Sequence, residues 1–328
     1  MRRYSLASLL VCLILPLAPV HVPASDGSTL SGEVLYSNAD VPLAATLRIP
    51  PGAGPFPGVV IVHGSGSSDR SNPWTSAYAT ALVERGIAVL HPDKRGSGAS
   101  GGDWRKATFS DLTEDALLAL DLLLANPAVD SSRVGLIGFS QGGHIVPLAA
   151  TRSSAVRFVI NVSGSVVPMM EQIGDELRSM GRREGMPESE LSVIQSIHEH
   201  GVRYALTADG WETYAAALAE AGRGRLGGTE VLAGFPAEPD APAWGVLRAM
   251  GDYDPLPYWR DMEVPALFLY GGRDANVDVS KSVNLIGESL KQEGPGYGLL
   301  LFRNNGHALY REDAMDFMAR WILDGGVD

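Results

Sequence analysis

Short continuous apolar runs alternate along this chain with segments of helical spacing. Gly58-Val59-Val60-Ile61-Val62, Ile87-Ala88-Val89-Leu90, Val134 to Phe139, Phe158 to Val162 (save Asn161), Ala266 to Tyr270 and Gly298 to Phe302 are apolar at consecutive positions. Runs of that length, rich in β-branched and aromatic residues, predict strands buried on both faces. Trp74 to Arg85, Phe109 to Leu124, Gln141 to Ala150, Ser280 to Gln292 and Arg311 to Leu323 carry apolar residues at helical intervals. Gly86 is expected to end the first of these helices, and Asp111 or Ser110 to lie near the cap of the second. Glu33 to Tyr36 and Ala45 to Ile49 read as a hairpin, and Pro50 to Pro55 as a loop. Alternating strand and helix predicts the α/β class: a doubly wound, mostly parallel sheet with helices on both faces.

The alternation stops between Pro168 and Asp261. That stretch holds no convincing strand. Glu171–Met180, Glu188–Thr207 and Trp211–Ala221 read as helices, and the Gly- and Pro-rich Arg223 to Ala243 as loop. The expected organisation is a core made of residues 25–165 and 263–328, with a helical cap inserted over 166–262. An insertion between two sheet strands, beyond the serine described below, falls over the carboxyl ends of the strands, where ligands bind in such sheets.

The first residues are expected to be a leader rather than part of the fold. Arg2 and Arg3 precede an apolar run from Leu6 to Leu17, and Val22-Pro23-Ala24 supplies small residues before Ser25. That succession is a secretory signal peptide over residues 1–24. Pro16 and Pro19 shorten the apolar run below the ~20 residues of a spanning helix, so no stable membrane anchor is expected. Leu10-Val11 before Cys12 lacks the small residues of a lipid-attachment site. The expected destination is export, to the periplasm or the medium.

Cys12 is the only cysteine, so the mature chain would have neither disulfide nor thiol nucleophile. The formal charge of −12 becomes −14 when Arg2 and Arg3 leave and no acid does. An acidic chain argues against nucleic acid as a partner.

Gly138-Phe139-Ser140-Gln141-Gly142 follows one apolar run and opens a helical segment. A strand, a sharp turn with serine at its apex and a helix form the nucleophile elbow of acyl-transfer enzymes. Glycines flank the serine because side chains there would collide with the neighbouring strand and helix. Such a serine needs a base, and the base needs an orienting acid. His307, in Asn304-Asn305-Gly306-His307, follows the last apolar run, and Asp274, in Gly271-Gly272-Arg273-Asp274, follows the one before. Serine, acid and base then sit at three strand ends in the order described for α/β-hydrolases. Asp278 is the rival acid in the same loop, but Asp274 follows the strand end directly. Asp252 and Asp254 read as structural. His144, one turn after Ser140, reads as a packed helix residue. His198 and His200 lack the i, i+4 spacing of a zinc helix and read as surface histidines. No metal or cofactor is expected.

His63-Gly64-Ser65-Gly66 follows the first buried run. Its amides suit a developing oxyanion, with Ser65 N–H as one donor, Gly66 as the alternative, and Gln141 N–H as the other. Each donor is worth roughly 3 kcal/mol in the transition state.

These segments, with Pro92-Asp93-Lys94-Arg95-Gly96-Ser97-Gly98, resemble the α/β-hydrolase superfamily, in the branch of esterases and serine-aminopeptidase-like hydrolases. The resemblance covers about residues 30–165 and 262–324 and omits the cap. It implies a serine hydrolase acting on a small-molecule ester or a short peptide. A carboxylesterase working through an acyl-enzyme on Ser140 is the first expectation, and an aminopeptidase or acyl-peptidase the alternative. A non-catalytic binding protein of the same fold is a third. The resemblance also implies that Asp93 and Arg95, with Asp69 and Arg70, brace loops near the serine. Acyl length, leaving group and oligomeric state are left open.

Overall fold

The computed structural model describes residues 29–290 and 295–325. The expected signal peptide, residues 1–24, lies outside the described residues. In chain order, β1 (Leu30–Asn38) and β2 (Val41–Ile49) form the hairpin; β3 (Phe56–Val62), α1 (Pro73–Glu84), β4 (Ala88–Pro92), α2 (Phe109–Leu124), β5 (Val129–Phe139), α3 (Gly142–Arg152) and β6 (Phe158–Val162) follow. Six helices come next: α4 (Met169–Arg183), α5 (Glu188–Thr207), α6 (Trp211–Arg223), α7 (Glu230–Ala233), α8 (Pro242–Met250) and α9 (Leu256–Asp261). β7 (Ala266–Gly271), α10 (Val279–Ser289), β8 (Tyr297–Phe302) and α11 (Glu312–Leu323) close the chain.

The eight strands make one sheet in the order β1-β2-β4-β3-β5-β6-β7-β8. β3 to β8 run parallel, and the hairpin adds two antiparallel strands at one edge. Side chains alternate across a strand, so a run that is apolar at every position needs cover on both faces. β3 shows this directly. Val59 and Ile61 join the core beneath α1 and α11, with Leu82 and Met318. Val60 and Val62 join the opposite core beneath α2 and α3, with Leu120 and Val146.

One local expectation sharpens and another changes. α2 is capped by Thr108, with Ser110 and Asp111 near that cap: Thr108 Oγ1 accepts from Asp111 N–H at 3.1 Å, and Asp111 Oδ2 accepts from Thr108 N–H at 2.8 Å. Asp111 serves as the third-position partner of a reciprocal capping box. The stretch 223–243 is also not all loop, because it contains α7 and the start of α8. α8 and α9 both carry proline in the first turn, where its missing N–H is tolerated. The six-helix insertion buries a cluster of its own around Leu191, Ile194, Ile197, Tyr214 and Trp244. No helix among the described residues is long and apolar enough to cross a membrane.

Glycine matters most where α3 leaves the sheet. A Cβ on Gly142 would lie 2.4 Å from the carbonyl oxygen of Val62, whereas one on Gly245, inside α8, would meet nothing within 4 Å. Gly142→Ala is therefore expected to lose about 1–3 kcal/mol or more through forced backbone shifts. Gly245→Ala is expected to gain about 0.4–1 kcal/mol from reduced freedom of the unfolded chain. Urea unfolding midpoints at unchanged slope measure both.

Candidate active site

The serine turn is tightly built. Ser140 has φ 52°, in the left-handed region that side chains rarely adopt. Its amide is tied to Val162 O at 2.9 Å, and its carbonyl accepts from Gly143 N–H at 2.8 Å. Gly138 and Gly142 approach so closely that a Cβ on Gly138 would lie 2.4 Å from Gly142 O. The strain holds the hydroxyl out beyond the end of β5.

The structure brings Ser140, His307 and Asp274 into one hydrogen-bonded line. Ser140 Oγ lies 2.9 Å from His307 Nε2, and Asp274 Oδ2 lies 2.8 Å from His307 Nδ1. Asp274 Oδ1 also accepts from the amides of Asn276 (2.8 Å) and Val277 (3.0 Å), and the carboxylate is fully buried. A carboxylate with only acceptors to offer takes a proton donor from the imidazole. Nδ1 therefore carries the hydrogen, and Nε2 is left to accept from the serine hydroxyl. The edge of Trp74 packs on the His307 ring at 5.5 Å. Asp278, the rival acid, instead caps α10 by accepting from Lys281 N–H.

The loop after β3 lies against this line. Ser65 and Gln141 both border the cavity above Ser140, and Gly66 does not. Among the described residues, neither the Ser65 nor the Gln141 amide donates to a protein acceptor. The loop is held from below. His63 Nε2–H donates to Pro92 O at 2.7 Å, and Ser68 Oγ donates to His63 Nδ1 at 2.9 Å. Burial lowers the His63 pKa to about 4, so it stays neutral and keeps both bonds. Asp93 binds Arg70 through both carboxylate oxygens and also accepts from Ala99 N–H, while Arg95 forks onto Asp115 at 2.6 and 2.7 Å. Between them, Lys94 Nζ donates to Gly64 O at 2.8 Å and to Gln141 Oε1 at 2.9 Å.

A cavity of about 570 Å³ opens over Ser140. Its far wall comes from the insertion, through Ile173, Leu177, Val202, Trp244 and Leu247. Most of that lining is apolar. The insertion carries the acids Glu171, Asp175, Glu176 and Glu184, and the structure separates them. Glu171 and Asp175 pair with Lys281, and Glu184 accepts from Val231 N–H. Only Glu176 borders the cavity. Its carboxylate accepts from Asn276 Nδ2 at 2.6 Å, which ties α4 to the loop carrying Asp274. Desolvation raises the Glu176 pKa.

His198 is not a surface histidine. It is buried, borders the cavity and donates through Nε2 to Met170 O at 2.7 Å. The facing helix α4 covers it. His144 is buried against Phe109 and hydrogen-bonded to Val167 O at 3.2 Å. Among the described residues no group of three or more His, Cys, Asp or Glu gathers in a way that would hold a metal ion. Sequence reasoning passed over Lys94, Glu176 and Asn276 as individual site residues. Asn276, two residues after Asp274, carried the only local signal, since that position faces its own acid in an Asx turn.

The model of the alpha/beta hydrolase family matches residues 59–321. Esterase EstD of Thermotoga maritima is 25% identical over 294 residues, covering 87% of this chain and 62% of that protein. The chain therefore spans less than two thirds of that relative's length. A solved esterase of Pyrococcus furiosus superposes with a TM-score of 0.61 at 18% identity, covering 93% of this chain and 94% of its own. A proline iminopeptidase of Mycobacterium smegmatis gives 0.60 at 16% identity, covering 90% and 98%. At those identities the two structures share the fold with this chain.

The raised pKa of Glu176 sets the sign of a stability change. The folded state holds this proton more tightly than the unfolded state, so stability falls as pH rises from the ordinary carboxylate range through the raised folded value. Glu176→Gln keeps an acceptor for Asn276 and removes the buried charge. Its melting temperature is expected to exceed that of the wild type near about pH 7 and to converge with it toward about pH 4. Thermal melts across that range check it; a variant less stable at neutral pH would mean that the ionised carboxylate stabilises the fold.

Proposed function

The chain belongs to the alpha/beta hydrolase family, and on that premise we propose that it is a serine hydrolase, a carboxylesterase that works through an acyl-enzyme on Ser140. One observation carries the reading: a strained serine, an imidazole and a buried carboxylate lie in hydrogen-bonded sequence at the floor of a largely apolar cavity. The chemistry follows from the hydrogen positions. His307 Nε2 takes the Ser140 proton as Oγ attacks the ester carbonyl carbon. Asp274 holds the tautomer and stabilises the imidazolium. The carbonyl oxygen, now negative, receives the amides of Ser65 and Gln141. His307 then gives its proton to the departing alkoxide, and a water activated by the same imidazole releases the acid. The apolar wall from the insertion suits an acyl chain or the carbon skeleton of the alcohol. No step needs a metal or an organic cofactor. EstD, which aligns with most of this chain, is an esterase by name. The reading also has the mature enzyme exported, on the basic, apolar and small-residue succession over residues 2–24.

A second reading has one observation in its favour. Glu176 is the only one of the four candidate acids to reach the cavity, and a carboxylate there suits a substrate with a free amine. That reading is an aminopeptidase.

Ser140→Ala is expected to lower kcat on nitrophenyl esters by about 10⁴–10⁶. Persistence near the wild-type rate would remove Ser140 as nucleophile. Covalent labelling of Ser140 by a fluorophosphonate separates an enzyme from a binding protein of the same fold. Nitrophenyl esters assayed against aminoacyl-nitroanilides separate the two enzyme readings. Under the esterase reading the esters turn over and Glu176→Gln leaves their kcat/KM within a few-fold. Under the peptidase reading the anilides turn over and the same variant loses about 10- to 100-fold on them, the worth of a charge-assisted hydrogen bond.

A further inference from the structure

Lys94 is a buried lysine without a carboxylate. It is 8% exposed, and among the described residues its ammonium forms no ion pair. Its two acceptors are a backbone carbonyl and a side-chain amide, and the Trp104 ring lies 5.9 Å away. Burial with no opposing charge lowers its pKa to about 7. A fold rarely buries an unpaired ammonium, because its desolvation is expensive. The two acceptors explain what this one does.

The carbonyl of Gly64 belongs to the same peptide unit as the N–H of Ser65. In a planar trans peptide the two groups point in opposite directions. Pinning the oxygen on Lys94 Nζ at 2.8 Å therefore aims the Ser65 hydrogen away from the lysine. Ser65 borders the cavity, and Lys94 does not. The second acceptor, Gln141 Oε1 at 2.9 Å, belongs to the residue whose amide is the other candidate donor. That side chain would otherwise be free to turn into the cavity. A third tie runs through the backbone, from Lys94 N–H to Ser68 O at 3.1 Å, and fixes the far end of the same loop.

We propose that Lys94 is the positioning residue of the oxyanion site: its ammonium locks the Gly64–Ser65 peptide so that the Ser65 amide faces the reacting carbonyl oxygen, and ties the Gln141 side chain, beside the other donor amide, to the same point. The inference rests on the hydrolase reading above. Its effect is electrostatic as well as geometric. In its charged form Lys94 polarises the peptide through the Gly64 oxygen and makes the Ser65 N–H a stronger donor. The opposing charge that Lys94 lacks in the resting protein arises when the carbonyl oxygen becomes negative. An interaction that strengthens as the transition state forms raises kcat rather than substrate affinity.

Lys94→Met keeps the length and apolar stem of the side chain and removes the charge. On a nitrophenyl ester, kcat is expected to fall about 10- to 100-fold, less than outright loss of an oxyanion donor, with KM changed no more than about threefold. The inhibition constant of an alkyl trifluoromethyl ketone, whose adduct with serine carries the oxyanion, is expected to rise by the same factor as kcat falls. Gln141→Leu leaves the ammonium and cuts one of its ties, so it should give a smaller drop of the same kind. That drop should shrink in the Lys94→Met background, because coupled residues do not add. If Lys94→Met does not fold, as judged by its thermal melt, the ketone measurement on Gln141→Leu carries the test. An unchanged kcat, or a fall in kcat with undiminished ketone affinity, overturns the assignment. A wild type that hydrolyses neither esters nor anilides overturns the hydrolase reading and this inference with it; a wild type that is active beside an equally active Lys94→Met overturns this inference alone.

Discussion

The left-handed backbone at Ser140 is the constraint on which the site depends. A non-glycine residue in that region costs of order 1–3 kcal/mol, and it persists only where its surroundings over-determine it. Here they do. The Ser140 amide is held by the end of β6, the Ser140 carbonyl by the first turn of α3, and four glycines let backbone approach backbone. Gly138 clears Gly142, Gly142 clears the end of β3, and Gly143 and Gly164 clear each other beneath Asn161 Oδ1. The turn therefore belongs to three strands and a helix at once. Any relaxation of φ at Ser140 would have to move all of them.

That shared origin explains why the parallel strands were legible in the sequence. A strand covered on both faces needs apolar residues at consecutive positions, and six such runs are present between Gly58 and Phe302. Asp274 and His307 were legible for the same reason, since each follows one of those runs by only a few residues. α2 and α5 were read to their final residues because their faces are strongly patterned. The Thr108 cap was missed because Asp111, the more obvious acid, sits at the position that reaches back to the cap rather than at the cap itself.

The insertion was less legible because its order comes from tertiary contact. α8 and α9 carry proline in the first turn and are short, so local periodicity barely registers them. On α4, Glu171, Asp175 and Glu176 are equivalent by composition. Only the rotation of that helix, set by Lys281 on one side and Asn276 on the other, sends the first two outward and Glu176 inward. His198, followed by Glu199 and His200, has polar neighbours on that side that say nothing of the helix covering it. Lys94 was hidden in another way. It lies in a turn between two charged residues, where side-chain direction follows no period and the partners are 30 and 47 positions away.

The polar groups beneath the cavity divide into two sets, and the proposed hydrolysis depends on that division. Asp93 with Arg70, Arg95 with Asp115, and His63 between Pro92 and Ser68 are closed on one another. Such closed networks are rigid, because breaking any one bond strands a buried polar group at about 1–3 kcal/mol. Mounted on them are the groups whose bonding is incomplete: the amides of Ser65 and Gln141, and the ammonium of Lys94 without an anion. In water, dipoles would have to reorient around a new negative charge as it formed. Here their orientation is fixed during folding, so in the proposed reaction little reorganisation would remain. The insertion completes the arrangement by walling the cavity with apolar side chains. That lowers the local dielectric and makes each preset dipole count for more. The closed networks and the open amides are thus one device, since donors left unsatisfied can hold their aim only on a scaffold that has no slack.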